Sequence, residues 1–154
     1  MDFQQSLITT VHDYSLGNLN AIDFNRELRQ KPTALLIPCL MEEFNRPALS
    51  LIRDTLSTLT GLSSLVIALS ADSIEDVNTA EAFFADMPFP VQVHWTNGPA
   101  VCEVLSSMKS LGLDLTGPPG KGWAVWQGLG VACQQAEVIG LFDADIRTFG
   151  SSYP

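Results

Sequence analysis

Basic residues are scarce in this sequence, with 8 Lys and Arg against 17 Asp and Glu and a net charge of -9 over 154 residues. Electrostatic attachment to nucleic acid or to an anionic membrane surface is therefore disfavoured, and partners are expected among small molecules or other proteins. An anionic ligand stays admissible where a metal ion, a local Lys or a helix N-terminus offsets the repulsion. Cysteine is scarce too. Cys39, Cys102 and Cys133 are odd in number and far apart, which argues against a disulfide framework or a zinc site and for a reducing cytoplasm. No apolar run approaches the ~18 residues of a membrane span, and Met1-Asp2-Phe3-Gln4-Gln5 lacks the basic and apolar regions of a secretory leader. His12 and His94 have no Cys or His at metal-ligand spacing, and each reads as a surface or capping residue. The G-x-S-x-G elbow of a serine hydrolase is absent. Internal repeats, low-complexity tracts and linkers are missing as well.

What is present is an apolar chain, 46% hydrophobic, of a length that buries one core. Residues 1–32 read as a polar N-terminal helical extension, with Leu19, Ile22, Asp23, Arg26 and Leu28 suggesting a helix from about 19 to 30. Residues 33–154 alternate strands and helices. Ala34-Leu35-Leu36-Ile37 is a short strand stopped by Pro38, which has no ladder donor. Pro47 opens a helix with Leu49, Ile52, Leu56 and Leu59 on one face, and Gly61 stops it. Leu65-Val66-Ile67-Ala68-Leu69 is a second strand, after which Ser73 and Asp76 form a capping box for a helix with Val77, Ala80, Phe83 and Phe84 on its inner face. Val91-Gln92-Val93-His94-Trp95 is a third strand, and Val101, Val104, Leu105 and Met108 support the next helix. A loop through Gly117-Pro118-Pro119-Gly120 precedes a helix from Lys121 to Gln135. Val138-Ile139-Gly140-Leu141-Phe142 then has the character of a strand buried on both faces. Right-handed crossovers make this order an α/β, Rossmann-like, mostly parallel sheet with helices on both faces.

In such sheets the ligand crevice lies outside the carboxyl ends of the strands. Asp143 and Asp145 stand there, one residue apart, and two like charges so placed call for a hard divalent cation. The bland alternative is a solvated turn, which the apolar strand before the pair and Phe149 after it disfavour. Glu42 and Glu43 follow the first strand and are accounted for by the positive end of the next helix. Ser70 and Asp72 fit a ribose contact and a turn or cap equally well. Gly120-Lys121-Gly122 joins a flexible loop, a cation and a helix start, which suits a diphosphate. It is no P-loop, because Leu115 and Gly122 occupy positions that need Gly and Ser or Thr. One of Trp123 and Trp126 could stack on a base, but core packing is the expected use.

Four separated pieces together resemble the nucleotide-sugar glycosyltransferases of GT-A fold. Leu36-Ile37-Pro38-Cys39-Leu40-Met41-Glu42-Glu43 is similar to the family's P-x-L-N-E-E stretch, with Met41 in place of Asn. Ser70 falls at the second strand's ribose or base contact, where Leu69 replaces a frequent Asp. Gly120-Lys121-Gly122 matches G-K-G and Asp143-Ala144-Asp145 matches the metal-binding D-x-D. Gly120-Lys121-Gly122-Trp123-Ala124-Val125-Trp126 most resembles the G-K-G-x-x-x-W form of glucosyl-3-phosphoglycerate synthases. The resemblance implies Mg²⁺ or Mn²⁺ on Asp145, with Asp143 on the same ion or the ribose. It implies Lys121 and Gly120 at the diphosphate, and Pro38, Leu40, Glu42 and Ser70 around the nucleoside. The implied donor is a nucleoside diphosphate sugar, UDP-glucose, and the acceptor a small molecule such as 3-phosphoglycerate. Family members continue past the D-x-D with an acceptor half, so the expectation is a donor-binding half prone to homo-oligomerise. A nucleotide-binding module without turnover is the second reading. A Rossmann-like methyltransferase is the third, against which stands Pro38-Cys39-Leu40-Met41-Glu42-Glu43 in place of a glycine-rich turn.

Overall fold

The computed structural model describes residues 24–115, 117 and 120–147. Most of the expected N-terminal extension, with His12, and also Pro118, Pro119 and Phe149, lie outside the described residues. Helix α1 (Phe24–Leu28) leads into β1 (Thr33–Leu40), a 3-10 turn (Met41–Asn45) and α2 (Pro47–Leu56). Then follow β2 (Ser64–Ser70), α3 (Ile74–Phe83), β3 (Val91–Trp95), α4 (Pro99–Ser110), α5 (Lys121–Ala132) and β4 (Val138–Leu141). All pairings are parallel and the strand order is β3-β2-β1-β4, so β1 and β2 are central.

Strand alternation divides the core. Leu35, Ile37 and Cys39 of β1, with Leu65, Ile67 and Leu69 of β2, pack against Leu49, Ile52 and Leu56 of α2 and Val77 and Ala80 of α3. Ala34, Leu36, Val66 and Ala68 face Ala124 and Ala132 of α5. Small residues on this second face let α5 come close. A Cβ on Gly128 would collide with Leu36 Cδ1 and sit 3.2 Å from the Ala68 Cβ, whereas one on Gly130 meets nothing within 4 Å. Gly128→Ala is therefore expected to lower stability by about 1–3 kcal/mol through overpacking. Gly130→Ala should raise it by up to about 1 kcal/mol through helix propensity. Urea unfolding of the two variants checks the pair, and equal effects would remove the packing argument.

Several elements depart from the sequence reading. Pro38 does not end β1, which runs on beside β2 to the Leu40–Ser70 pair. It ends the pairing with β4. Phe142 N–H donates to Leu36 O at 3.0 Å, and the next bond on that side would need an N–H from residue 38, which proline lacks. The chain leaves the sheet at that point and enters Asp143. Helix α2 ends at Leu56, ahead of Gly61. Gly61 instead lets α1 pass, because a Cβ there would meet Asn25 O at 2.6 Å and Leu28 Cβ at 2.8 Å. The expected double burial of β4 is also corrected. Among the described residues it is an edge strand, with Val138 44% and Leu141 49% exposed. Helix α4 buries none of its residues despite its apolar stripe.

Candidate functional site

The carboxyl ends of the strands open into one cleft of about 560 Å³, within the size range of small-molecule sites. Pro38, Cys39 and Leu40 line it from the end of β1, and Ser70 from the end of β2. Thr96 and Asn97 line it after β3, Gly120 and Lys121 at the start of α5, and Asp143 and Asp145 after β4. Of the described residues singled out in the sequence, Glu42, Asp72, His94, Gly122 and Trp126 are not among those lining it. Glu42 is largely exposed and reaches Arg46 Nη2 at 3.5 Å. Asp72 is exposed, and its N–H donates to Asp76 Oδ2 at 3.1 Å beside the capping box formed by Ser73 and Asp76.

Beyond β4 the chain passes into a turn at Ala144 and Asp145, and burial alternates along it. Phe142 and Ala144 turn into the core, 8% and 5% exposed, which leaves Asp143 and Asp145 on the cleft side. Lys121 forms an ion pair with Asp143. Lys121 is the first residue of α5, a helix with no side-chain N-cap, whose first backbone bond runs from Ala124 N–H to Gly120 O at 3.1 Å. The N–H groups of Lys121, Gly122 and Trp123 thus precede the helical ladder at its positive end. That end of α5 presents an ammonium and backbone donors to whatever anion occupies the cleft.

The sequence reading missed Glu43 and Asn97. Glu43 lines the cleft at 8% exposure, with Oε1 accepting from Arg46 Nη1 at 2.8 Å and Oε2 without a partner among the described residues. In the sequence nothing separates it from Glu42; the 3-10 turn does. Asn97 accepts from Ala71 N–H at 3.1 Å and donates to Ala71 O at 2.8 Å, tying the β3 exit to the β2 exit. Its place in Asn97-Gly98-Pro99 signals only a turn. His94 is bound at 2.8 Å to Gln127, which in turn donates to Thr96 O at 3.1 Å, so it braces α5 against β3. The two tryptophans are not core residues. They stack on each other at 5.0 Å and 17°, with Trp126 53% exposed and Trp123 at the cleft wall.

No protein-family model matches the chain. A protein of Methanococcoides burtonii named glucosyl-3-phosphoglycerate synthase is 36% identical over 155 residues, covering all of this chain and 38% of the relative. A protein of the same name from Persephonella marina is 28% identical over 156 residues, covering 99% of this chain and 38% of the relative. Along its whole length the chain is similar to part of two proteins named glucosyl-3-phosphoglycerate synthase. It spans 38% of the length of these curated relatives. A crystal structure of the glucosyl-3-phosphoglycerate synthase of Mycobacterium tuberculosis, in complex with Mn²⁺, UDP and glucosyl-3-phosphoglycerate, aligns with a TM-score of 0.46 and 19% identity. The alignment covers 79% of this chain and 37% of that one.

The carboxylates at this cleft fit a hard divalent cation. Among the described residues no group of three or more His, Cys, Asp or Glu side chains gathers. Two carboxylates, completed by phosphate oxygens and water, are a common way of holding Mg²⁺ or Mn²⁺ beside a nucleotide. Among the described residues no helix is long and apolar enough to cross a membrane.

Cys39 is buried at the cleft floor, and burial, followed by the charge of Glu43, pushes its thiol up from 9.0 to about 12. The folded chain therefore keeps that proton after the unfolded chain has lost it, and stability falls as the pH rises from about 9 towards 12. Cys102 and Cys133 are exposed. At pH 8 iodoacetamide is expected to add to Cys102 and Cys133 in the native chain, and to Cys39 only in denaturant. Mass spectrometry reads the count, and a rapid native adduct on Cys39 would contradict its burial.

Proposed function

We propose that this chain is the donor-binding part of a metal-dependent glucosyltransferase, taking UDP-glucose as donor, with 3-phosphoglycerate as the acceptor of the complete enzyme. The observation that carries this reading is the cleft itself, where Asp143, Asp145, Lys121 and the start of α5 meet Pro38, Leu40 and Ser70. The similarity to proteins named glucosyl-3-phosphoglycerate synthase supports it. In this reading Asp145 holds Mg²⁺ or Mn²⁺, and Asp143 reaches the same ion or the ribose. When bound, the cation neutralises charge that builds on the departing diphosphate. Lys121 and the first N–H groups of α5, at Gly120, hold the diphosphate oxygens. The apolar walls at Pro38 and Leu40, with Ser70 and a Glu42 or Glu43 carboxylate, hold the nucleoside. The three unpaired cysteines fit a cytoplasmic setting.

Relatives much longer than this chain favour a second reading, nucleotide binding without turnover, in which the acceptor site lies in the remainder of the enzyme. Calorimetry with UDP and UDP-glucose, with and without Mn²⁺, tests what both readings share. Metal-dependent UDP binding supports the cleft assignment, and glucose transfer to 3-phosphoglycerate separates transfer from binding alone. S-adenosylmethionine binding without metal would replace both by a methyltransferase.

A further inference from the structure

The same ammonium and carboxylate that the proposed function gives to two different ligand groups are bonded to each other in the structure. Lys121 pairs with Asp143, while Asp145 is exposed and no ion pair among the described residues holds it. Among the described residues three carboxylates line the cleft, Glu43 held by Arg46 and Asp143 and Asp145 beside the ammonium of Lys121. Neither ligand meets a ready site on its own. A cation finds Asp143 engaged by a positive group, and a diphosphate finds Lys121 engaged by a negative one within an acidic wall.

Resting on the nucleotide and metal reading above, we propose that the Lys121–Asp143 ion pair couples the two ligands. The diphosphate draws Lys121 away and thereby releases Asp143 for the cation. Lys121 is then a positioning residue for the metal as well as a phosphate contact, and nucleotide and cation enter as a linked pair. Linkage makes the effect reciprocal, so the cation raises nucleotide affinity by the same factor that nucleotide raises cation affinity. The partners are 59% and 43% exposed at their side chains, and exposed pairs are worth at most about 1 kcal/mol, equivalent to about fivefold in affinity.

The test is Mn²⁺ affinity, followed by electron paramagnetic resonance on the intact chain, without UDP and with saturating UDP after correction for Mn²⁺ held by free nucleotide. Lys121→Met is expected to raise affinity for Mn²⁺ alone by up to about fivefold and to leave the UDP-saturated affinity nearly unchanged, so that the coupling factor falls by the same amount. Lys121→Arg keeps the pair and should keep the coupling. A general loss of positive charge would raise Mn²⁺ affinity equally in both states, and a structural role would lower it in both; either result overturns the coupling, as does an unchanged affinity in the Met variant. Absence of any Mn²⁺-dependent UDP binding in the unmodified chain would instead defeat the proposed function itself.

Discussion

Asp145→Ala is expected to lower UDP affinity in the presence of Mn²⁺ by about 100-fold or more, close to the level seen without metal. Residues that merely orient a metal ligand typically cost 10–100-fold when removed, and Asp145 is proposed as a ligand itself. The site has little redundancy. With no third His, Cys, Asp or Glu gathered beside the pair among the described residues, losing one carboxylate leaves Asp143 alone to hold the cation. A hundredfold loss corresponds to about 2.7 kcal/mol, well above what an exposed surface charge contributes to binding. Folding should be spared, because Asp145 is exposed and follows the last strand. Calorimetric titration of UDP in Mn²⁺ against wild type and variant measures the difference, with urea unfolding as a control. A variant that binds within a fewfold of wild type would show that Asp145 is not a metal ligand.

The sequence carried the architecture because each element has its own period. Leu49, Ile52 and Leu56 recur at helical spacing, Pro47 sits in the first turn of α2, and Ser73 and Asp76 cap α3 as their spacing implies. Parallel order followed from strands alternating with helices. What escaped were properties set by neighbours distant in sequence. Pro38 was legible as a missing donor, yet which of its two neighbouring strands would feel that loss depends on β4 lying on one side and β2 on the other. The apolar run from Val138 to Leu141 is the same in an edge strand as in a central one, so burial on both faces was overestimated. The stripe on α4 is real but only partly covered, with Val101, Leu105 and Met108 half-buried and no residue fully buried.

Placement of the site was legible to the same extent. A rule that ligands gather beyond the carboxyl ends of parallel strands puts Pro38, Leu40, Ser70, Lys121, Asp143 and Asp145 in one neighbourhood, and all six line one cleft. Which of two adjacent glutamates turns inward depends on a single 3-10 turn, whose hydrogen bonds no spacing rule resolves. Trp123 and Trp126, three residues apart, share a helix face by any rule. That they stack on each other rather than enter the core follows from α5 presenting Ala124, Gly128 and Ala132 to the sheet instead.

The exposed flank of the sheet leads to the second large effect, self-association of the isolated chain. Among the described residues, strand β4 has β1 on one side and no strand on the other. Val138 N–H donates to Pro32 O and Phe142 N–H to Leu36 O, so alternation turns the backbone groups of Ile139 and Leu141 towards the open side. An apolar edge strand with free donors and acceptors is a template for another strand. Val138 and Leu141 are half exposed, and Trp126 and Leu129 of the neighbouring α5 are 53% and 37% exposed. Apolar surface of that kind favours association, and the chain's charge of -9 opposes it only over a distance that salt shortens to about 8 Å at physiological ionic strength. Light scattering after size exclusion is therefore expected to show dimers or larger species that grow with salt and protein concentration. Charging the edge with Val138→Lys and Leu141→Lys should return a monomer, while Lys substitutions at the exposed Val104 of α4 and Leu111 just after it should not. A wild-type chain that stays monomeric in high salt would mean that the edge is covered, and the open flank of β4 would no longer explain how the chain behaves in solution.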